Sequence, residues 1–220
     1  MSGALIQLLV LAGVAIFLVI KLKSVLGSRE GFEKPPLTDA HRDAPVQRRG
    51  FEVIEGGPDR DITDHVAEGS EAARALAAMK LAEPSFSVSQ FLQGARGAYE
   101  MILMAFEKGE LDRIRPFLSD DVEASFAEVI ADRESKGLTI EANFVGLKEM
   151  ALQEATFDTT SGFGEITVRF VGEITSAVRD KAGEVVEGDP KTVKRQRDVW
   201  TFARKMGAAD PNWQLVATGD

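Results

Sequence analysis

A carboxylate and a phenol held together in an apolar pocket can run proton transfer, the carboxylate as base and the phenol as hydrogen-bond donor. One residue of this chain can supply the phenol, Tyr99, the only tyrosine among 220 residues. Other constellations are thinner. The two histidines, His41 and His65, lie in a polar stretch ahead of the aromatic-rich C-terminal part, and there is no cysteine. Imidazole bases, thiolate nucleophiles and His/Cys metal sites therefore have no material in that part. No Gly-rich phosphate loop of the Walker or dinucleotide type occurs, since the glycines fall at turns and helix ends. Tyr99 reads most simply as a core residue with its hydroxyl satisfied by a structural partner. Asp120-Asp121 reads as favourable charge at a helix N-terminus. The expectation is no catalytic residue, no metal and no cofactor.

Apolar residues in excess of what chemistry needs point to binding instead. Ten of the thirteen phenylalanines, both tryptophans and Tyr99 lie after residue 85. Tyr99, Leu103, Phe126, Phe170, Trp200 and Phe202, taken from the apolar faces of the elements below, are the candidate lining of a hydrophobic pocket. Arg179, Asp180 and Asp189 sit at turns between long strands and could form a rim that contacts a partner. The plainer reading of these three is turn geometry and ion pairing, because Asp, Gly and Pro stand there for backbone reasons.

The elements that would position these residues follow from periodicity. Ser87 to Lys108 keeps helical spacing through Val88, Phe91, Leu92, Ala95, Tyr99, Ile102, Leu103 and Phe106, and Gly109 supplies the stop. Gly94 and Gly97 cost helix propensity and suggest close approach of another backbone. A short helix is expected at Glu110 to Leu118, and a further one capped by Ser119 and ended by Gly137. Beyond Gly137 the period falls to 2. Strands are expected at Thr139 to Leu147, Met150 to Phe157, Ile166 to Val178 with a bend or bulge at Gly172, Glu184 to Val186, Lys191 to Arg204 and Trp213 to Thr218. Helices followed by hairpin-connected strands mean an α+β domain with a curved antiparallel sheet, a cone that leaves a cavity.

Two segments precede it. Ala4 to Ile20 carries no charge, and as a helix its 17 residues rise roughly 26 Å, close to the thickness of a bilayer core. Residues 1–26 are therefore expected to be an uncleaved transmembrane anchor. Lys21, Lys23 and Arg29 on its C-terminal flank place the rest of the chain in the cytoplasm. Residues 27–85 hold five of the eight prolines and are expected to be a flexible linker, with a short helix at 70–82 and a strand-like island at Phe51 to Ile54. Residues 86–220 are the expected domain. They hold 16 Lys+Arg against 23 Asp+Glu, within a chain of net charge −9, which excludes a general nucleic-acid binder.

Several stretches together resemble a known family. Phe91-Leu-Gln-Gly-Ala-Arg96, Ala98-Tyr-Glu-Met-Ile102, Val168-Arg-Phe170, Arg179-Asp180, Glu184 to Pro190, Asp198-Val-Trp-Thr-Phe-Ala-Arg204 and Asp210-Pro-Asn-Trp-Gln-Leu-Val-Ala-Thr218 are similar to the Tim44-like domain. That family comprises the mitochondrial inner-membrane translocase adaptor and bacterial membrane-anchored relatives. The resemblance implies a nuclear-transport-factor-two-like fold, a hydrophobic pocket, no enzymatic activity and an adaptor role, tethering a chaperone to a translocation channel. The expected protein is thus a single-pass inner-membrane adaptor or scaffold. Its expected partners are a hydrophobic protein client, a translocase or chaperone component, or a lipid. The rivals are an isomerase- or dehydratase-type enzyme on the same fold and a self-associating membrane scaffold.

Overall fold

The computed structural model describes residues 57–219. The expected anchor, most of the expected linker and the Phe51 to Ile54 island lie outside the described residues. Among the described residues no helix is long and apolar enough to cross a membrane.

Helices come first. A one-turn helix, α1 (Arg60–Thr63), is capped by Asp59, whose side chain accepts from Asp61 N. An alanine-rich helix, α2 (Glu71–Ala82), is capped by Ser70. The central helix α3 (Val88–Lys108) buries Val88, Phe91, Leu92, Ala95, Tyr99, Ile102 and Leu103, the stripe its spacing dictates, and stops at Gly109 in the left-handed region. The expected helix at Glu110 to Leu118 divides into α4 (Leu111–Ile114) and a 3-10 turn (Arg115–Phe117), because Pro116 removes a backbone donor. The last helix, α5 (Asp120–Lys136), has Ser119 accepting from Val122 N, Asp120 and Asp121 in its first turn, and Gly137 closing it.

Four antiparallel strands follow in chain order: β1 (Thr139–Asp158), β2 (Phe163–Arg179), β3 (Val185–Lys205) and β4 (Gln214–Gly219). The architecture is the expected α+β. The two strands expected between Thr139 and Phe157 are one, because register shifts between Phe144 and Gly146, Leu147 and Glu149, and Leu152 and Glu154 bend β1 without breaking its pairing to β2. β3 likewise absorbs the expected turn at Gly188 to Pro190. Its pairing with β2 jumps from Val193 opposite Thr175 to Asp189 opposite Ser176. The bulge expected at Gly172 lies on the facing strand, next to Leu147. Gly172 itself is small because a Cβ there would stand 2.9 Å from the Tyr99 hydroxyl and 3.3 Å from the Phe144 ring.

The sheet turns Ile166, Val168, Phe170, Ile174, Trp200 and Phe202 onto the helices. The same core takes in Ile62, Leu76 and Met79, the last two fully buried. This corrects the expected linker, because the ordered unit includes chain well ahead of residue 86. The alanines of α2 hid the signal. Small side chains let the helix lie close, with Met79 packed over Gly164, where a Cβ would come within 2.9 Å of the Met79 methyl.

A carboxylate ties this early segment to α3. Asp61 accepts from Ser87 Oγ at 3.1 Å, Val88 N at 2.8 Å and Ser89 N at 2.9 Å, so it serves the open amides of the first turn. Lys80 Nζ lies 2.7 Å from both Asp59 and Asp61. Burial alone would raise the Asp61 carboxyl, but Lys80 and the α3 amides outweigh it and hold it well below the usual carboxylate range.

Candidate functional site

An open groove of about 360 Å³ runs along the N-terminal half of α3, where it meets the end of β3 and the approach to β4. Its walls are mainly apolar, with Glu83, Ser85, Ser87, Gln90, Arg204 and Asn212 as the polar part. Phe91, Ala95, Ala98 and Ile102 come from α3, Phe86 from the turn before it, Phe117 from the 3-10 turn, Phe202 from β3 and Trp213 from the segment leading into β4. The aromatic side is braced edge to face, with the Phe91 ring 4.7 Å from Trp213 and 6.0 Å from Phe202, so its shape is set by packing. Gly94 lies in the groove, and a Cβ added there would meet nothing within 4 Å. The same holds for Gly97. Close backbone approach is therefore not the reason for these glycines. At Gly94 the missing side chain leaves space in the groove.

One ion pair closes an end of this apolar surface. Arg204 Nη2 donates to both oxygens of Glu83, at 2.9 and 2.8 Å, and Gly207 N donates to Glu83 Oε2 at 2.8 Å. The guanidinium carbon lies 5.2 Å from the centroid of the Trp213 ring, within range of a cation–π contact. Burial alone would raise the Glu83 carboxyl, yet the Gly207 amide and Arg204 together hold it below its ordinary value.

The six residues expected to line a pocket are not all there. Phe202 lines the groove. Tyr99, Leu103, Phe170 and Trp200 are buried in the core instead, because their faces of α3 and the sheet press directly on one another. Tyr99 stacks on Phe170 with ring centroids 4.4 Å apart and planes within 6°, and Trp200 lies at 4.9 Å. Phe126 belongs to a separate contact on α5, 4.4 Å from the Phe106 ring, over which the Arg133 guanidinium lies at 4.5 Å. The three rim residues serve the far end of β2 from the groove. Arg179 pairs with Glu141 at 2.7 Å and donates to Gly183 O. Asp180 accepts from Ala182 N and Glu184 N, and Asp189 from Lys191 N and Thr192 Oγ1. They hold turns.

Tyr99 does meet a carboxylate. Its hydroxyl donates to Asp198 Oδ2 at 2.6 Å, and Gln196 Nε2 donates to Asp198 Oδ1 at 3.1 Å. Burial first, and then the hydrogen bond to Asp198 and its charge, push the phenol well above its usual range. Tyr99 is fully buried, Asp198 is 8% exposed, and neither lines the groove. As placed, this pair fastens α3 to β3 and offers no face to a substrate. Among the described residues no group of three or more His, Cys, Asp or Glu side chains is arranged to hold a metal ion. His65 Nε2 lies 3.3 Å from Ser89 Oγ on the surface.

Sequence reasoning missed Glu83, Phe86, Phe91, Arg204 and Trp213 as groove residues, and Asp198 as the partner of Tyr99. For two of them a signal was present. Period-2 alternation from Trp200 and Phe202 runs back to Asp198 and on to Arg204, so both charged residues had to face the core and needed partners there. Glu83 carried no such mark, because its neighbours read as linker.

Comparison with known proteins bears on this arrangement. Residues 72–220 match the family described as the Tim44-like domain. The mitochondrial import inner membrane translocase subunit TIM44 of Homo sapiens is 25% identical over 167 residues, which cover 71% of this chain and 36% of the human protein. The Mus musculus protein of the same name is 23% identical over the same shares. The chain thus spans about a third of the length of the curated relatives it matches. Among solved structures, the intermembrane space region of the chloroplast protein ARC6 is 10% identical with a TM-score of 0.40, covering 58% of this chain and 94% of that one, a likeness too slight to inform function.

Proposed function

The chain belongs to the Tim44-like domain family, and from that premise we propose that it is a non-enzymatic adaptor at a bacterial inner membrane, serving protein translocation or membrane-protein assembly. The observation that carries this reading is the open apolar groove between α3 and the β3–β4 end, closed by a single neutralised ion pair. Such a surface suits an apolar element of a client. The curved sheet, of the nuclear-transport-factor-two-like kind, supplies the concavity, and residues 1–26 supply the membrane attachment. The domain then faces the cytoplasm, beside a client, a translocase or chaperone component, or a lipid. TIM44 of mitochondria, a translocase subunit by name, fits the same kind of work.

The test is photocrosslinking in intact membranes from a reactive residue placed at Gln90, on the groove, and from one at Glu187, at the far end of the sheet. The expected result is capture of identified translocation or membrane-assembly proteins from Gln90 alone. Equal capture from both positions, or none, overturns the reading. A reporter fused after Asp220 checks orientation, since only a reporter that works in the cytoplasm should be active.

A further inference from the structure

β3 has a neighbour on both sides over only part of its length. β4 lies beside it from Val199 to Ala203, with Gly219 opposite Val199, whereas ahead of Val199 β3 pairs with β2 alone among the described residues. From Val193 to Asp198 that pairing keeps a regular register, so the free edge presents a row of main-chain donors and acceptors. The jump from Val193 to Asp189 closes this slot at one end, and β4 closes it at the other. The other long edge differs, because three register shifts bend β1, and bulges keep an edge strand from adding a neighbour.

Charge sets the slot apart as well. In a chain of net charge −9, Lys194, Arg195 and Arg197 fall on it together, all exposed. Among the described residues Lys194 and Arg197 form no ion pair, and Arg195 reaches only Glu173, at 3.5 Å, a carboxylate that Lys148 holds at 3.1 Å. Asp189 is engaged beyond the jump with the Lys191 amide and the Thr192 hydroxyl. Cations on an edge repel stray strands, and an acidic strand is the kind they admit. A phosphate backbone could answer the cations, but it has no donors for the edge carbonyls, and the acidity of the rest of the chain opposes it.

Independently of the groove, we propose that the free edge of β3 from Val193 to Asp198 takes an extended acidic segment of a partner protein as an added strand, in the antiparallel sense in which β2 and β4 already lie beside it. Carboxylates of that strand meet Lys194 on one face of the sheet and Arg195 and Arg197 on the other. Glu187, opposite Val178, lies beyond the jump and outside this slot.

The experiment uses the full chain in phosphatidylcholine nanodiscs and the fluorescence anisotropy of fluorescein-labelled Ser-Glu-Thr-Glu-Glu-Val-amide, which sets a glutamate opposite each cation. The same peptide with lysines for glutamates, and labelled hexathymidylate, are the comparison probes. The acidic peptide should bind about ten-fold tighter than either. Two further versions carry N-methyl groups on alternate amides, one on the odd and one on the even positions. Only alternate amides of a strand face a given neighbour, so one version should bind about ten-fold more weakly and the other within about three-fold of the parent. In Lys194→Glu/Arg197→Glu, which changes two exposed side chains, the preference should turn to the lysine peptide. No measurable binding of the acidic peptide, equal binding of either comparison probe, equal behaviour of the two methylated versions, or an unchanged preference in the double variant overturns the inference. Gly94→Phe, whose ring enters the groove, should leave these affinities unchanged. A loss there would place the peptide in the groove and overturn the edge site, so the two readings fail separately.

Discussion

Tyr99→Phe removes one oxygen from the middle of the core and isolates what that oxygen does. The ring is fully buried against Phe170, and Phe keeps that stacking. Lost is the 2.6 Å hydrogen bond to Asp198, which leaves an 8% exposed carboxylate with Gln196 as its remaining side-chain donor. A hydrogen bond to a charged group contributes about 1.5–3 kcal/mol, and stranding the buried acceptor puts the loss at about 2–3 kcal/mol. In a structured unit of this size that lowers Tm by about 4–10 °C. Urea unfolding of the full chain, followed by tryptophan fluorescence, measures it. In a double-mutant cycle with Asp198→Asn the coupling should exceed about 1 kcal/mol. pH supplies a second check. The folded phenol titrates above its unfolded value, so its stabilisation is complete below about pH 10 and is lost as pH rises further. The gap between wild type and Tyr99→Phe should therefore narrow above that pH. A loss under about 0.5 kcal/mol, with a gap that stays flat into alkali, would refute the reasoning, since surface substitutions do as little.

Other substitutions probe the remaining claims. Leu76→Ala should cost about 2–5 kcal/mol in the same assay, because Leu76 is fully buried, whereas a tether residue would cost nothing measurable. Asp61→Asn should cost about 1–2 kcal/mol at neutral pH by weakening the capping of α3. Because the folded Asp61 carboxyl is depressed, that difference should be present above about pH 4 and fade as pH falls below it, which a pH series of unfolding curves would show. Gly188→Ala should destabilise the β2–β3 hairpin by more than about 1–2 kcal/mol. Its φ of +80° is strained for alanine, and the new Cβ would stand 2.3 Å from the Ser176 carbonyl oxygen. Faster hydrogen exchange at Ala177 and Val178 would register it.

The sequence by itself determined the elements whose causes are local. The α3 stripe from Val88 to Leu103, the stops at Gly109 and Gly137, the Ser119 cap and the change to period 2 after Gly137 all depend on neighbours within a few residues, so they were legible without a fold. Turn chemistry was equally local at Asp180, which does what its neighbour Gly183 suggests, whereas the turn expected at Pro190 became a register shift inside β3. The resemblance of seven short stretches to the Tim44-like domain pointed to the right family for the same reason, since each stretch carries its own pattern.

Only tertiary structure decided which apolar faces pack shut and which stay open. Tyr99 and Phe91 lie on the same buried helix, yet one is pinned between Phe170 and Asp198 while the other borders a groove whose lining runs past Tyr99 to Ile102. Glu83 and Arg204 are 121 residues apart. No local pattern could join them, and it is their pairing that leaves this part of the groove neutral. The same holds for α2, whose alanines look weak in isolation but let Leu76 and Met79 come close enough to complete a core that begins far upstream of its aromatic centre. Periodicity fixes which side of an element turns inward, whereas the depth at which two inward sides meet is set by side chains distant in sequence, and the groove is the space left where they fail to meet.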